Sequence, residues 1–296
     1  MLELQAYLDR IGYPGAPRPD LETLVELHRR HLLAIPYENL DVQLERPVGL
    51  EPGPIYEKLV RDRRGGWCYE MNGLFGWALE EIGFSITRLG AGVGRAQVGD
   101  AALGNHLALR VELDRPYLAD VGFGDGIFEP VPIRSGAIRQ RGFRFRMERL
   151  AGGWWRMHNH PRGAAPSFDF DEAPGDPVVM QRKCAYLQTA PDSTFRRVAV
   201  VQRHVPQGLV ILRGRVLTRI SPSETDRRLV GDQAEYERVL REELGLDGAA
   251  GLRAQDLDAL WEKAQEQHWT FLREQAAVAD RRGAAEAPAE TSRHGA

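Results

Sequence analysis

The chain has 296 residues, 43% hydrophobic and 27% charged, an ordinary globular composition that can fill a sizeable core and excludes wholesale disorder. Lys+Arg 39 against Asp+Glu 42 give a net charge of -3, and neither sign gathers into a block, which argues against a nucleic-acid groove or a membrane-binding stripe. The start "MLELQAYLDRIGYPG" has no signal-peptide pattern and no apolar run reaches membrane-span length, so the expectation is a cytoplasmic protein whose two cysteines, Cys68 and Cys184, stay reduced.

The first 84 residues are expected to form a helical bundle. In "DLETLVELHRRHLL", Leu21, Leu24, Val25, Leu27, His28, His31 and Leu32 recur at helical spacing behind an Asp20 N-cap, and Ile35-Pro36 ends the run. Pro54 suits the first turn of "PIYEKLVRDRR", which Gly65-Gly66 terminates. From Cys68 a further helix carries Met71, Leu74, Phe75, Ala78, Leu79 and Ile82 on one stripe, with Gly83 as its stop. His28 and His31 read as satisfied residues facing the bundle.

Between Ser85 and His160 the period becomes two. "HLALRVEL" places Leu107, Leu109, Val111 and Leu113 on one face and His106, Ala108, Arg110 and Glu112 on the other; "YLADVGF" follows Asp114-Arg115-Pro116. "FRFRMERL", "AGG" and "WWRMHNH" make a second hairpin. An antiparallel sheet or barrel is expected. "GAGVG" from Gly90 to Gly94 lacks the setting and the lysine of a phosphate loop and reads as a turn or bulge. His158 and His160 have no further ligand at suitable spacing, so no metal is assigned. Residues 161–177, rich in Pro, Gly, Ala and Asp, read as a long surface connection. A helix, "VVMQRKCAYLQ", then carries Cys184 in a structural role. Strands around "RRVAVVQRH", "GLVILRG" and "RVLTRI" and helices from Gln233 to Leu244 and from Asp256 to about Gln275 complete the fold. The last twenty residues lack large apolar side chains and read as a disordered tail.

Cys68 follows two glycines and opens a helix, where unpaired N–H groups and the helix dipole favour an anion such as a thiolate. A small buried hydrophobe is the alternative. His106 and Asp120 both leave the apolar face of their strands, Asp120 standing outside the series Tyr117, Ala119, Val121 and Phe123. A three-residue hairpin loop gives residues of equal parity a shared face. With the loop at 113–115 rather than 114–116, His106 and Asp120 become diagonal neighbours about 7 Å apart at Cα. Cys68 would then be a nucleophile, His106 its base and Asp120 the group that fixes the imidazole tautomer, against the alternative of a structural His-Asp pair. Gly104, close before His106, is expected near the reacting centre.

"RRGGWCYEMNGLF", "NHLALRVEL", "YLADVGFG" and "IPYENLDV", with "YLDRIGYPG" near the start and "TAPDSTFRRVAVVQR" later, closely resemble the arylamine N-acetyltransferases. The resemblance implies an α+β multi-domain fold around a cysteine-protease-like Cys-His-Asp core. Its parts are an N-terminal helical bundle (1–84) carrying the cysteine, a central antiparallel β-barrel (85–190) carrying His and Asp, and a C-terminal α/β lid (191–276), with 277–296 as the tail. It implies a catalytic triad of Cys68, His106 and Asp120, and ping-pong transfer from acetyl-CoA as co-substrate, through an acetyl-Cys68 thioester, to an arylamine, arylhydrazine or hydrazide. CoA and those small molecules are the expected partners, with no nucleic acid, no membrane and no metal; a homo-oligomer is left open. Phe123 matches the family's pocket-lining phenylalanine, and Tyr37 stands where the family usually has Phe. Arg10 and Glu38 resemble a family ion pair of structural role, and Arg64 is expected to hold the turn before Cys68. An oxyanion hole would use the Cys68 N–H and a second donor that the sequence does not identify. A macrolactam-forming amide synthase of the same fold, a cysteine hydrolase or transglutaminase-like enzyme, and a non-catalytic binding protein are the competing readings.

Overall fold

The computed structural model describes residues 2–246 and 252–286, beginning with helices. α1 (Leu4–Ile11) is followed by α2 (Leu21–Ala34), where the Asp20 carboxylate accepts from the Thr23 N–H at 2.8 Å. This N-cap is worth about 1 kcal/mol. A short strand, β1 (Tyr37–Glu38), and a turn of helix, α3 (Leu40–Gln43), lead to α4 (Pro52–Tyr56). α4 opens at Pro52, ahead of the expected Pro54, and widens into a π-helical turn over Glu57–Arg61. It therefore ends before the two glycines thought to stop it. α5 (Cys68–Ile82) begins on the cysteine and ends at Gly83, whose φ of 102° is open to glycine at little cost. Its stripe of Met71, Leu74, Phe75, Ala78 and Leu79 packs on Leu24 and Leu27 of α2. Each large side chain so buried contributes about 1.5–3 kcal/mol.

The next strands are β2 (Ser85–Val93), β3 (His106–Glu112), β4 (Pro116–Ala119), β5 (Val131–Pro132), β6 (Gly136–Gln140), β7 (Phe143–Arg149), β8 (Trp155–His158) and β9 (Ser167–Phe170), with a helical turn α6 (Arg95–Val98) after β2. They form one antiparallel sheet in the order β5-β4-β3-β2-β9-β8-β7-β6. The sheet curls into a nearly closed barrel filled by Leu89, Ala108, Leu118, Met147, Met157 and Phe168. Glu112 pairs with Pro116 and Leu109 with Ala119, which fixes the hairpin loop at 113–115.

Both faces of β3 are buried. Leu109 and Val111 pack on the helical bundle and Ala108 on the barrel interior. His106 therefore faces the barrel side and is buried there.

Two local expectations are corrected. The connection at 161–177 contains β9, whose four residues are all buried and which bonds to both β2 and β8. Its Asp169 is tolerated there because Arg156 pairs with it at 2.6 Å, so polar composition concealed a central strand. "GAGVG" is mostly strand rather than turn, and only Gly94 leaves it, at φ 78°. Its Gly90 is small because Gly175 crosses it: a Cβ at Gly90 would lie 3.3 Å from the Gly175 Cα.

α7 (Pro177–Thr189) and α8 (Thr194–Arg197) precede β10 (Val200–Val205), β11 (Gly208–Arg213), β12 (Val216–Ile220) and β13 (Thr225–Leu229). These four strands make an antiparallel sheet with β1 in the order β1-β10-β11-β12-β13. The N-terminal segment thus supplies an edge strand to the C-terminal sheet. β13, "TDRRL", was not expected because it is a largely exposed strand without alternation. α9 (Gln233–Arg238), extended by a π-helical turn over Val239–Glu243, and α10 (Ala254–Glu286) cover this sheet through Leu240, Leu260 and Trp261. α10 runs past the expected end near Gln275, since the Ala, Glu and Arg that follow are strong helix formers. The rest of the expected tail, 287–296, lies outside the described residues. Among the described residues no helix is long and apolar enough to cross a membrane.

Candidate active site

The N-terminus of α5 is held by a buried charge network. Arg64 donates to Glu38 at 2.7 Å and Asp41 at 3.2 Å, and Lys58 reaches Asp41 and Glu70, each at 2.8 Å. Burial pushes the Glu70 carboxyl up to about 6, against the pull of Lys58. Glu70 also accepts from the Trp67 N–H at 3.2 Å, the reciprocal half of a capping box one residue before Cys68. The glycines Gly65 and Gly66 serve this frame. A Cβ on Gly65 would lie 2.1 Å from the Pro36 carbonyl oxygen, and one on Gly66 would lie 2.8 Å from Glu70 Cβ. Trp67 packs edge-on against Tyr69 and Phe195.

Within this frame Cys68, His106 and Asp120 come together, all buried. His106 Nε2 lies 2.8 Å from Asp120 Oδ2, leaving Nδ1 for the Cys68 sulfur, with which the ring shares a side-chain hydrogen bond. Burial opposes a charged ring, but the Asp120 carboxylate and the Cys68 sulfur outweigh it and push His106 up to about 10. Burial also opposes charge on Asp120, yet the His106 contact and hydrogen bonds hold it below the usual carboxylate range. Those bonds come from Asn72 Nδ2 at 2.8 Å and the Gly122 N–H at 2.9 Å, both to Oδ1. Asp120 is thus an ionised acceptor, and the imidazole stays protonated beside the sulfur.

Three supporting residues were not singled out from the sequence for this role. Asn72 stands one helical turn beyond Cys68, a polar side chain at an α5 position facing the site. Besides Asp120 it donates to the Leu107 carbonyl at 2.7 Å and accepts from the Val121 N–H at 3.0 Å. His28, read simply as satisfied, accepts the Asp120 N–H on Nε2 at 3.2 Å while Nδ1 donates to the Phe128 carbonyl at 3.0 Å. Burial lowers its pKa to about 4, which keeps Nε2 free to accept. Gly122 passes over the start of α5 so closely that a Cβ would meet Cys68 Cα at 2.8 Å. By contrast His31 is only half satisfied: Nδ1 meets the Tyr7 hydroxyl at 3.0 Å and its buried Nε2 has no partner.

Cys68 and His106 open onto a cavity of about 400 Å³ lined also by Tyr37, Asn105, Phe123, Phe195 and Gln202. Burial, then the charges of Cys68 and Asp125, hold the Tyr37 hydroxyl well above its ordinary value. Phe123 does not continue the core-facing series of β4. The chain leaves the strand after Ala119, and the ring turns edge-on to His106 at 5.5 Å.

The chain as a whole is similar to known proteins. The N-acetyltransferase family model matches residues 20–251. The Mycolicibacterium smegmatis arylamine N-acetyltransferase is 34% identical over 255 residues, covering 83% of this chain and 92% of that protein. The Gallus gallus pineal gland isozyme NAT-3 is 33% identical, covering 83% and 94%. The chain belongs to the arylamine N-acetyltransferase family. It is therefore an acyltransferase. Among solved structures, that of the Salmonella typhimurium enzyme superposes with a TM-score of 0.79 at 30% identity, covering 88% of this chain and 97% of that one. The Mycobacterium marinum enzyme in complex with CoA gives 0.80 at 28%, covering 89% and 99%.

In this arylamine N-acetyltransferase the remaining expected site residues divide. The carboxylate of Glu38 pairs with Arg64, and Arg10, expected opposite it, instead donates to the carbonyls of Leu59 (3.0 Å), Ala34 (2.9 Å) and Arg63 (3.3 Å). The family resemblance put Arg10 opposite Glu38, but α1 delivers its guanidinium to the carbonyls of the chain ahead of the turn. Gly104 does not line the cavity; its neighbour Asn105 does. The Gly104 carbonyl takes the Tyr69 hydroxyl at 2.6 Å, and its φ of 78° with Val179 close by leaves no room for a Cβ. Cys184 is buried against the Val48 carbonyl, and burial pushes its thiol up to about 12. His158 pairs with Glu148 at 2.6 Å, whereas His160 stacks on Phe143, so the two do not converge. Among the described residues no group of three or more His, Cys, Asp or Glu is placed to hold a metal ion.

Proposed function

We propose that this enzyme transfers the acetyl group of acetyl-CoA to arylamines, arylhydrazines and hydrazides by a ping-pong reaction in the cytoplasm. The observation that carries the reading is the Cys68–His106–Asp120 arrangement, with a 2.8 Å His-Asp contact, opening onto a cavity of about 400 Å³. The Cys68 thiolate attacks the thioester carbonyl, the tetrahedral oxyanion collapses, and CoA leaves as its thiol after taking the proton of His106. The acetyl-Cys68 thioester is then attacked by the amine nitrogen. His106 accepts the nitrogen's proton as the C–N bond forms and the Cys68 thiolate departs. Asp120 holds the ring through Nε2 throughout, and the Cys68 N–H at the head of α5 is a donor for the oxyanion. For the polyanionic donor, a groove with Arg196, Arg197 and Lys263 adjoins the cavity at Thr194, Val198 and Arg213. The solved Mycobacterium marinum relative in complex with CoA supports the choice of donor.

Intact-mass measurement tests this. Acetyl-CoA alone should add one acetyl group, absent in Cys68→Ser, and anilines or hydrazides should then remove it as the N-acetyl product. No adduct sinks the reading; an adduct that water alone discharges favours a hydrolase, and loading only by longer acyl thioesters favours the amide synthase.

A further inference from the structure

Most polar side chains that line the cavity beside Cys68 have their hydrogen bonds already made. Asn105 gives both halves of its amide to Val93, accepting from the N–H at 2.8 Å and donating to the carbonyl at 3.0 Å. Asn39 donates to the Phe195 and Val198 carbonyls, each at 2.9 Å, and accepts from the Val200 N–H at 2.8 Å. Asp125 is turned onto Asn159 and the Ala164 N–H, and the Gln202 amide lies against Gly124. Thr194 and Arg213 are exposed and belong to the mouth.

Tyr37 is the exception. It is half-buried, and its hydroxyl makes no hydrogen bond among the described residues. The hydroxyl oxygen is not sealed among side chains either, so it opens onto the cavity that Tyr37 lines with Cys68 and His106. The ring packs against the cluster that contains Cys68 and Tyr69. Its backbone is clamped on both edges: Tyr37 pairs with Gln202 of β10, while the Glu38 N–H donates to the Gly66 carbonyl at 2.9 Å and the Gly66 N–H to the Pro36 carbonyl at 3.2 Å. Burial and the neighbouring negative charges keep the hydroxyl protonated, so it is a donor.

A fixed, unspent donor beside the acyl-enzyme discriminates between acyl acceptors. A ligand that takes it from water without offering a lone pair leaves the hydroxyl unsatisfied, and a ligand with an oxygen at that place does not. Arylamines and arylhydrazines carry only the ring next to their reacting group. Hydrazides carry a carbonyl oxygen close to the terminal nitrogen that attacks.

We propose that the Tyr37 hydroxyl donates a hydrogen bond to the carbonyl oxygen of the acyl acceptor and thereby biases the second half-reaction toward hydrazides. This rests on the acetyl-transfer reading above and narrows its substrate class.

Benzhydrazide and phenylhydrazine share the phenyl ring and the terminal NH2 and differ by the carbonyl, so their kcat/KM values with acetyl-CoA test this. In a ping-pong reaction each value reports only the attack of that acceptor on the acetyl-enzyme. Tyr37→Phe deletes one oxygen that nothing in the protein holds. It should lower the benzhydrazide-to-phenylhydrazine ratio by about 3–10-fold, the energy of one uncharged hydrogen bond. Intrinsic nucleophilicity is the same with both enzymes and cancels, and the ratio is independent of the fraction folded. A ratio that the substitution leaves unchanged or raises overturns the proposal. So does acetyl loading slowed as much as the hydrazide reaction, which would make the hydroxyl a donor to the thioester oxyanion. Failure of wild-type Cys68 to be acetylated would instead overturn the reaction itself.

Discussion

His106 has two ring nitrogens, and the 2.8 Å contact with Asp120 commits Nε2, so that Nδ1 faces the sulfur. Because its folded value is about 10, the ring is cationic throughout the neutral range. Iodoacetamide should therefore alkylate wild-type Cys68 at pH 7 at least about 10-fold faster than it does in His106→Gln, which puts no cation beside the sulfur. Equal rates would contradict an imidazolium at that place. Asn72 is the second residue on which the geometry turns. Asn72→Ala deletes three buried hydrogen bonds, to Asp120, the Leu107 carbonyl and the Val121 N–H. The expected cost is about 2–4 kcal/mol in urea unfolding, with acetyl loading slowed by at least about 10-fold. Loading at the wild-type rate would mean that Asp120 needs no second orienting partner.

Three separate elements converge on one point: the start of α5, the start of β3 and the loop after β4. Their meeting depends on backbone approach as much as on the triad side chains. At Gly122 an added Cβ would stand 2.5 Å from Asn72 Nδ2 and 2.9 Å from the Cys68 carbonyl oxygen. Gly122→Ala should therefore push the loop off α5 and reduce acetyl loading by about 100-fold, with about 1–3 kcal/mol lost in stability. Loading within a few-fold of wild type would show that the contact is slack. The 113–115 loop acts at the same scale. It goes with the register that makes His106 and Asp120 diagonal neighbours, and a one-residue slip of that pairing would turn them to opposite faces.

Acid tests the molecule as a whole. Burial lowers His28 to about 4 and His204 to about 3, and holds His31 well below its ordinary value. Each has an unfolded value near about 6.5. Their contribution to stability is thus complete above that pH and is lost progressively toward their folded values as protons bind the unfolded chain. Glu70 and Asp125, both raised to about 6, act in the opposite sense, binding protons in the folded state and losing their contribution as pH rises through that value. His106, raised to about 10, likewise gains as pH falls toward its unfolded value of about 6.5. The three depressed imidazoles outweigh it and the two carboxyls, so stability should fall by on the order of 1–3 kcal/mol between pH 7 and pH 5. Urea midpoints across that range check it, and midpoints that rise toward pH 5 would reverse the assignment. Protonation of folded His28, centred near its value of about 4, would remove the acceptor for the Asp120 N–H, so activity should fall only below about pH 5.

Much of this was legible in local sequence. Periodicity and the Asp20 cap placed α2 and α5, and the "RGGWCYEMN" element with the alternating "HLALRVEL" put Cys68 at the head of a helix and His106 on a strand. What local sequence could not supply was every feature whose cause lies on another segment. β9 is a strand because Arg156 neutralises Asp169 from the neighbouring strand. Glu38 pairs with Arg64 and not Arg10 because α1 carries Arg10 to three carbonyls instead. Gly65 and Gly66 are small because Pro36 and Glu70 press on them. By itself the sequence determined which residues are chemically competent and which helices and strands carry them, since side-chain chemistry and periodicity are local properties. Which charges pair and which nitrogen of His106 faces the sulfur were decided only by the tertiary structure, because each depends on distances between segments far apart in the chain.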